Sequence, residues 1–333
     1  MTTRFRVVIT DFVADDLRPE LTVLKDLADV VALDAYSESE LAGRVEDADA
    51  IMIYHNIILS DDTISRLQRC KLIVRCGVGF DNVDCASAKG RGIPVANVPD
   101  YGTEEVADSA IGLMLALTRG VNLYNSRLRR QVGPWSYTQA APLVRLRGRV
   151  FGIVGLGRIG TATAVRAKAL GMDVAYYDPY KSDGYDKAIG VRRVEHLDEL
   201  FDQSFVVSLH CPLTDETRHL IDAGAIDRMP SGTYLVNTGR GALVDLTAVP
   251  DAIRSGQLAG VGIDVLPIEP PPDVHPLLTA WRNPADPCYD RVIINPHAAF
   301  YSEEGLFDMR VKGAEACRRA LLGEPLRNVV NDC

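Results

Sequence analysis

The chain has 333 residues, enough for two domains rather than one core, and its 47% hydrophobic and 24% charged residues are those of an ordinary soluble protein. A balance of 36 basic against 45 acidic residues leaves a net charge of −9, which argues against nucleic acid or an anionic membrane as partner. Its seven cysteines, an odd number with no CxxC pair, make disulfides and a metal site unexpected and fit a reducing cytoplasm.

In chain order, residues 6–10 (Arg-Val-Val-Ile-Thr) read as a strand whose apolar run is too short for a signal segment. Helical patterns follow at 18–27, 39–45 (capped by Ser37 or Ser39), 63–69 and 86–90. They alternate with strand patterns at 29–33, 50–54, 72–75 and 94–96. Such alternation predicts a parallel sheet covered on both faces, flavodoxin-like in rhythm. One long helical pattern spans 103–129, opened by Glu104 and Glu105 at the positive end of its dipole. It serves as the crossover between domains. Within it Ala110–Leu117 is the longest apolar helical stretch, too short to span a bilayer.

The stretch Val150–Gly160 (VFGIVGLGRIG) is an apolar strand that turns at once into a helix, a GxGxxG pattern in its proper context. Gly155 permits the tight turn, Gly157 lets the backbone approach a pyrophosphate, and Gly160 lets helix and strand pack closely. Leu156, Arg158 and Ile159 lie between them, where helix N–H groups meet phosphate oxygens. A second strand at 173–177 ends in Asp178, placed to bond the adenosine ribose; an acid there favours NAD over NADP. Further strands are expected at 205–209, 233–237, 260–264 and 292–295, with helices near 197–201, 223–229 and 247–255. The last helix, 303–322, returns to the first domain. The expected fold class is α/β: two Rossmann/flavodoxin-like, doubly wound parallel-sheet domains. The first comprises residues 1–101 plus 301–333; the dinucleotide-binding domain, 102–300, is inserted into it.

In such sheets ligands bind beyond the carboxyl ends of the strands. Those ends carry His210-Cys211-Pro212, Asn237-Thr238-Gly239-Arg240, Asp264 with Glu269 beyond it, and Pro296-His297. An arginine, a glutamate and a histidine at consecutive strand ends suggest an anion clamp and an acid–base pair. In the first domain Arg75-Cys76-Gly77-Val78-Gly79 also follows a strand, a small anion nest; Arg75 facing solvent is the plainer alternative. Tyr54 and His55 are weaker candidates for the same cleft, and Cys76 reads as a small core residue.

GLGRIG, the DPY after the second strand, NTGRG, IDVLPIEP and NPHAAFYSEE occur in this order between residues 155 and 304. In these the sequence resembles the D-isomer-specific 2-hydroxyacid dehydrogenase family. YHNIIL at 54–59, IVRCGVGFDNVD at 73–84 and PHAAFYSEE at 296–304 make it most similar to the branch of the C-terminal binding proteins, NAD-binding transcriptional corepressors. The resemblance implies that His297 is the general acid/base, that Glu269 holds its imidazole, and that Arg240 grips the substrate carboxylate. It places Thr238, Gly239 and Asp264 at the nicotinamide end, and Cys211, Pro212 and Thr217 in the loop beside the cofactor. Thr103 would lie near its phosphates or ribose. Arg75, Val78, Gly79 and Phe300 become substrate contacts.

The activity so implied is reversible, NAD(H)-dependent interconversion of a D-2-hydroxy acid and a 2-oxo acid by a cytoplasmic homodimer whose domains close over the substrate. An NAD-sensing interaction protein is the alternative. Two departures stand out. Phe300 replaces the tryptophan of the corepressor branch, and 277–291 is longer than the usual connection, expected as a surface excursion. Val78 stands where phosphite-oxidising relatives carry a lysine, which counts against phosphite.

Overall fold

Parallel strands with both faces covered read as nearly continuous apolar runs, and two sheets of this kind carry the chain in a computed structural model describing residues 4–332. The chain divides into one unit of Met1–Gly102 with Ser302–Cys333 and a second unit of Thr103–Tyr301.

In the first unit β1 (Phe5–Ile9), β2 (Ala28–Ala32), β3 (Ala50–Ile53), β4 (Ile73–Arg75) and β5 (Val95–Asn97) form a sheet in the order β2-β1-β3-β4-β5. Every pairing is parallel. Val7, Val8, Ile9 and all of β3 are fully buried. The C-terminal helix Glu303–Leu322 returns to this sheet, capped by Ser302, whose Oγ accepts the Gly305 N–H at 2.8 Å, and ended by Gly323 with φ +71. Arg310 ties that helix down: its Nε meets Glu20 Oε1 at 2.7 Å and its Nη1 meets Asp15 Oδ2 at 2.5 Å.

The second unit holds β6 (Val150–Val154), β7 (Asp173–Tyr177), β8 (Arg192–Arg193), β9 (Val206–Leu209), β10 (Thr233–Asn237), β11 (Leu258–Ile263) and β12 (Val292–Ile294). Their order, β12-β11-β10-β9-β6-β7-β8, reverses direction between β6 and β9. That reversal is the topological switch point at which ligands of open α/β sheets bind.

Four expected elements differ. The helix expected at 39–45 is only a 3₁₀ turn, Glu38–Leu41. The 103–129 pattern is two helices, Thr103–Thr118 and Val121–Arg129, bent by 61° where Gly120 adopts φ +66. A left-handed glycine ends the first helix, and periodicity alone is blind to it. The 63–69 helix is a single turn, Asp61–Ile64, because Ser60 caps it early and the Gln68 N–H bonds the Glu46 carbonyl instead of continuing it. Segment 277–291 is not a surface excursion: it forms the helices Pro276–Arg282 and Cys288–Arg291. Leu277, Leu278, Ala280 and Cys288 are buried in the core of the second unit. No single helix among the described residues is long and apolar enough to cross a membrane.

Candidate active site

The turn after β6 separates what the protein's own packing needs from what it leaves open. A Cβ on Gly155, which has φ +89, would lie 2.7 Å from the Cys211 backbone nitrogen, and one on Gly160 would lie 2.1 Å from the Gly155 carbonyl oxygen. A Cβ on Gly157 would meet nothing within 4 Å. The helix Arg158–Ala169 makes its first internal bond from Thr161 N–H to the Gly157 carbonyl at 2.9 Å. The N–H groups of Arg158, Ile159 and Gly160 therefore precede any intrahelical acceptor. Asp178 is fixed opposite: one oxygen accepts the Leu156 N–H at 2.8 Å and the other the Tyr180 N–H at 3.0 Å. Leu156 is fully buried, with its N–H held by Asp178.

Beside this turn, β9 runs into His210 and Cys211. Burial pushes the His210 imidazolium down to about 4, so the ring is neutral, with Nε2 2.8 Å from the Ser208 hydroxyl. Burial likewise pushes the Cys211 thiol up to about 11. Thr217 Oγ1 closes the loop by donating to the Pro212 carbonyl at 2.8 Å and accepting the Thr214 N–H at 2.8 Å. At the end of β10, Thr238 keeps a buried hydroxyl with no hydrogen-bond partner among the described residues. An orphaned hydroxyl after β10 and an open glycine face after β6, with β9 between the two strands, fit a bound dinucleotide. Thr103 is the first residue of its helix and half-buried.

Three strand ends bring the proposed chemistry together. His297 lies in the turn after β12 with φ +54, its N–H donated to the Asp264 carbonyl at 2.7 Å. Buried Asp264 uses both side-chain oxygens on that turn, accepting the Ala298 N–H at 2.9 Å and the Ala299 N–H at 3.0 Å. Burial raises its carboxyl above the usual range against the lowering effect of those two bonds. Glu269 Oε2 lies 2.6 Å from His297 Nδ1, while its Oε1 accepts the Leu266 N–H at 2.6 Å. The Glu269 and His297 side chains are 32% and 23% exposed, open enough to reach a ligand. Phe300 packs edge-on to the imidazole, ring centroids 6.3 Å apart. Arg240 is half-buried, and its Nη1 donates to the Gly239 carbonyl at 2.9 Å. Its loop touches the Glu269 loop directly, since a Cβ on Gly241 would sit 2.0 Å from the Leu266 carbonyl carbon.

In the first unit Arg75 does not face solvent; it is only 6% exposed. Its Nη1 donates to the Cys76 carbonyl at 3.1 Å and its Nε to Asn82 Oδ1 at 3.4 Å. The guanidinium fills the place a side chain on Gly77 would take: a Cβ there would lie 1.5 Å from Nη1. Val78 and Gly79 are half-buried on the same turn. Tyr54 is corrected from cleft wall to core: it is fully buried, stacked on Phe12 at 5.2 Å, and burial drives its phenol well above the usual value. Cys76 is the small core residue expected, its thiol pushed up to about 12 by burial.

Two organising residues, Asn82 and Asn237, were given no role by the sequence reading. Asn82 donates to the Tyr54 and Ile57 carbonyls, each at 2.8 Å. Asn237 does comparable work beside Arg240; an asparagine two residues before a glycine at a strand end was the available signal.

Residues 111–299, more than half of the chain, match the D-isomer specific 2-hydroxyacid dehydrogenase family through its NAD binding domain. The chain belongs to this family. The cofactor of its second unit is accordingly NAD. Over 98% of its length the chain is 34% identical to a D-3-phosphoglycerate dehydrogenase of Methanocaldococcus jannaschii. Over 92% it is 35% identical to C-terminal-binding protein 1 of Caenorhabditis elegans. It spans 59% and 42% of the lengths of these two relatives. Among solved structures, D-lactate dehydrogenase from Aquifex aeolicus, complexed with NAD and lactic acid, superposes with TM-score 0.82 at 30% identity over 96% of each chain. The apo D-lactate dehydrogenase of Escherichia coli gives 0.76 at 29% identity over 97% of this chain and 99% of that one.

Proposed function

We propose that the protein interconverts a D-2-hydroxy acid and its 2-oxo acid, and that His297, Glu269 and Arg240 perform the work. The 2.6 Å contact between Glu269 Oε2 and His297 Nδ1 carries this reading. With Nδ1 engaged by a carboxylate, proton exchange with the substrate oxygen runs through Nε2, and the carboxylate stabilises the imidazolium that forms. Arg240 offers a planar fork to the substrate carboxylate and fixes the reacting carbon. NAD, when bound, accepts or supplies the hydride at that carbon. The N–H groups of Arg158, Ile159 and Gly160 hold its pyrophosphate and Asp178 its adenosine ribose, which favours NADH over NADPH. Thr103, Cys211, Pro212, Thr217, Thr238, Gly239 and Asp264 complete the cofactor surface in this assignment. Arg75, Val78, Gly79 and Phe300 are assigned to the substrate on the family resemblance. A homodimer in the cytoplasm completes the proposal, and six free cysteines among the described residues support that compartment.

The likeness to C-terminal-binding protein 1 motivates a second reading, an interaction protein that senses NAD. One experiment separates the two. Purified protein is offered NADH or NADPH with a panel of 2-oxo acids: glyoxylate, pyruvate, hydroxypyruvate, branched, aromatic and phosphorylated members. NADH oxidation with one preferred acid is the expected result. NADH binding without turnover across the panel, together with NADH-dependent capture of a peptide, contradicts it.

A further inference from the structure

We propose that Asn237 is the positioning residue for Arg240, an inference that rests on the substrate-binding role given to that arginine. Asn237 ends β10 and is fully buried. Its backbone carbonyl still belongs to the sheet, accepting the Asp264 N–H at 2.9 Å. Its side chain turns outward along the following loop instead. Oδ1 accepts the Gly239 N–H at 3.0 Å, and Nδ2 donates to the Arg240 carbonyl at 2.9 Å. One buried amide thus grips the loop on both sides of the Gly239–Arg240 peptide and fixes the extended backbone of Arg240, φ −138 and ψ 139. Few side chains can do this. The position needs a donor and an acceptor together, which an ionised aspartate, with acceptors alone, and a leucine, with neither, fail to provide.

The outer side of the loop is fixed as firmly. Gly241 is buried against Leu266 and Pro267, where a Cβ would come within 2.0 and 2.3 Å of their backbone atoms. The Leu266 N–H is itself bonded to Glu269 Oε1 at 2.6 Å, and Glu269 Oε2 reaches His297. An unbroken path of contacts runs from the Asn237 amide through the Arg240 backbone, Gly241 and Leu266 to Glu269 and the imidazole. Asn237 on the inside and Leu266 on the outside set where the guanidinium stands relative to the acid–base pair.

The test is Asn237→Asp, read as KM and kcat for the preferred 2-oxo acid across pH, with NADH affinity by fluorescence as the control. Above the titration of the new carboxyl the donor to the Arg240 carbonyl is lost. KM should then rise about tenfold or more with NADH affinity unchanged, the size expected for one buried hydrogen bond. As pH falls and that carboxyl is protonated, donor and acceptor are both restored, and KM should return toward the wild-type value. Combined with Arg240→Ala, the substitution should add no further loss. If Asn237→Asp folds poorly, Asn237→Ser is read on the fraction that binds NADH, again with raised KM expected.

A KM that tracks the wild type at every pH, or losses fully additive with those of Arg240→Ala, overturns the positioning role. Wild-type kcat/KM in Arg240→Ala alone overturns instead the underlying assignment of Arg240, so the two failures are distinguishable.

Discussion

Both sheets release a glycine-rich turn from an interior strand, and the two turns have opposite outcomes. After β6 the chain enters a twelve-residue helix at once, Arg158–Ala169, and the space over Gly157 stays clear of protein atoms. After β4 the chain makes further turns before the six-residue helix Cys85–Gly90, and the corresponding space over Gly77 is filled by the guanidinium of its own Arg75. A strand that delivers a helix N-terminus with an open glycine face offers an anion unmatched N–H groups. A strand end that folds its own cation over the glycine offers a buried charge on a fixed base. The polar side chains near β1 and β3 are likewise turned inward: Asp11 accepts the Tyr54 N–H at 2.9 Å and the Asn56 N–H at 2.8 Å. The second unit keeps Glu269 and His297 partly open.

The largest stability effect that sharpens this contrast belongs to the first unit. Arg310→Ala strips the cation from Glu20, which is fully buried, and should cost about 3–5 kcal/mol, as for other broken buried ion pairs. Chemical denaturation should show the loss, while NADH affinity measured in native buffer stays that of the wild type. A smaller effect concerns His210. Its folded value, about 4, lies below the ordinary 6.5, so its contribution to stability is fully present above pH 6.5 and is lost as pH falls toward 4. Urea titrations at several pH values should show a steeper acid-side decline in the wild type than in His210→Asn. The smallest structural effect is expected at Gly157. Gly157→Ala should leave the melting temperature unchanged yet weaken NADH binding, whereas Gly160→Ala should lower the melting temperature because its Cβ overlaps the Gly155 carbonyl oxygen. Equal melting behaviour in the two variants would dissolve the distinction between packing glycine and binding glycine.

Much of this was legible in the sequence because strand–helix alternation and parallel burial leave a strong pattern. The C-terminal helix Glu303–Leu322 falls on the span expected for it, 303–322. The nearness of Glu269 to His297 was legible from strand ends, since the order of elements brings successive carboxyl termini to one edge. What pattern could not reach was local geometry. Gly120 reads as a tolerated helical glycine until its backbone turns left-handed. The proline-rich 277–291 segment looks like loop until Leu277 and Cys288 find the core. Asn237 and Asn82 carry no periodic signal, because their work is to bond backbone groups whose positions exist only in the fold.

The most direct measurement is turnover by His297→Ala beside its NADH affinity, using the 2-oxo acid the wild type prefers. Loss of a positioned general acid/base should lower kcat by about 10²–10⁴-fold with NADH affinity unchanged. Wild-type turnover in a folded, NADH-binding His297→Ala protein would contradict the account.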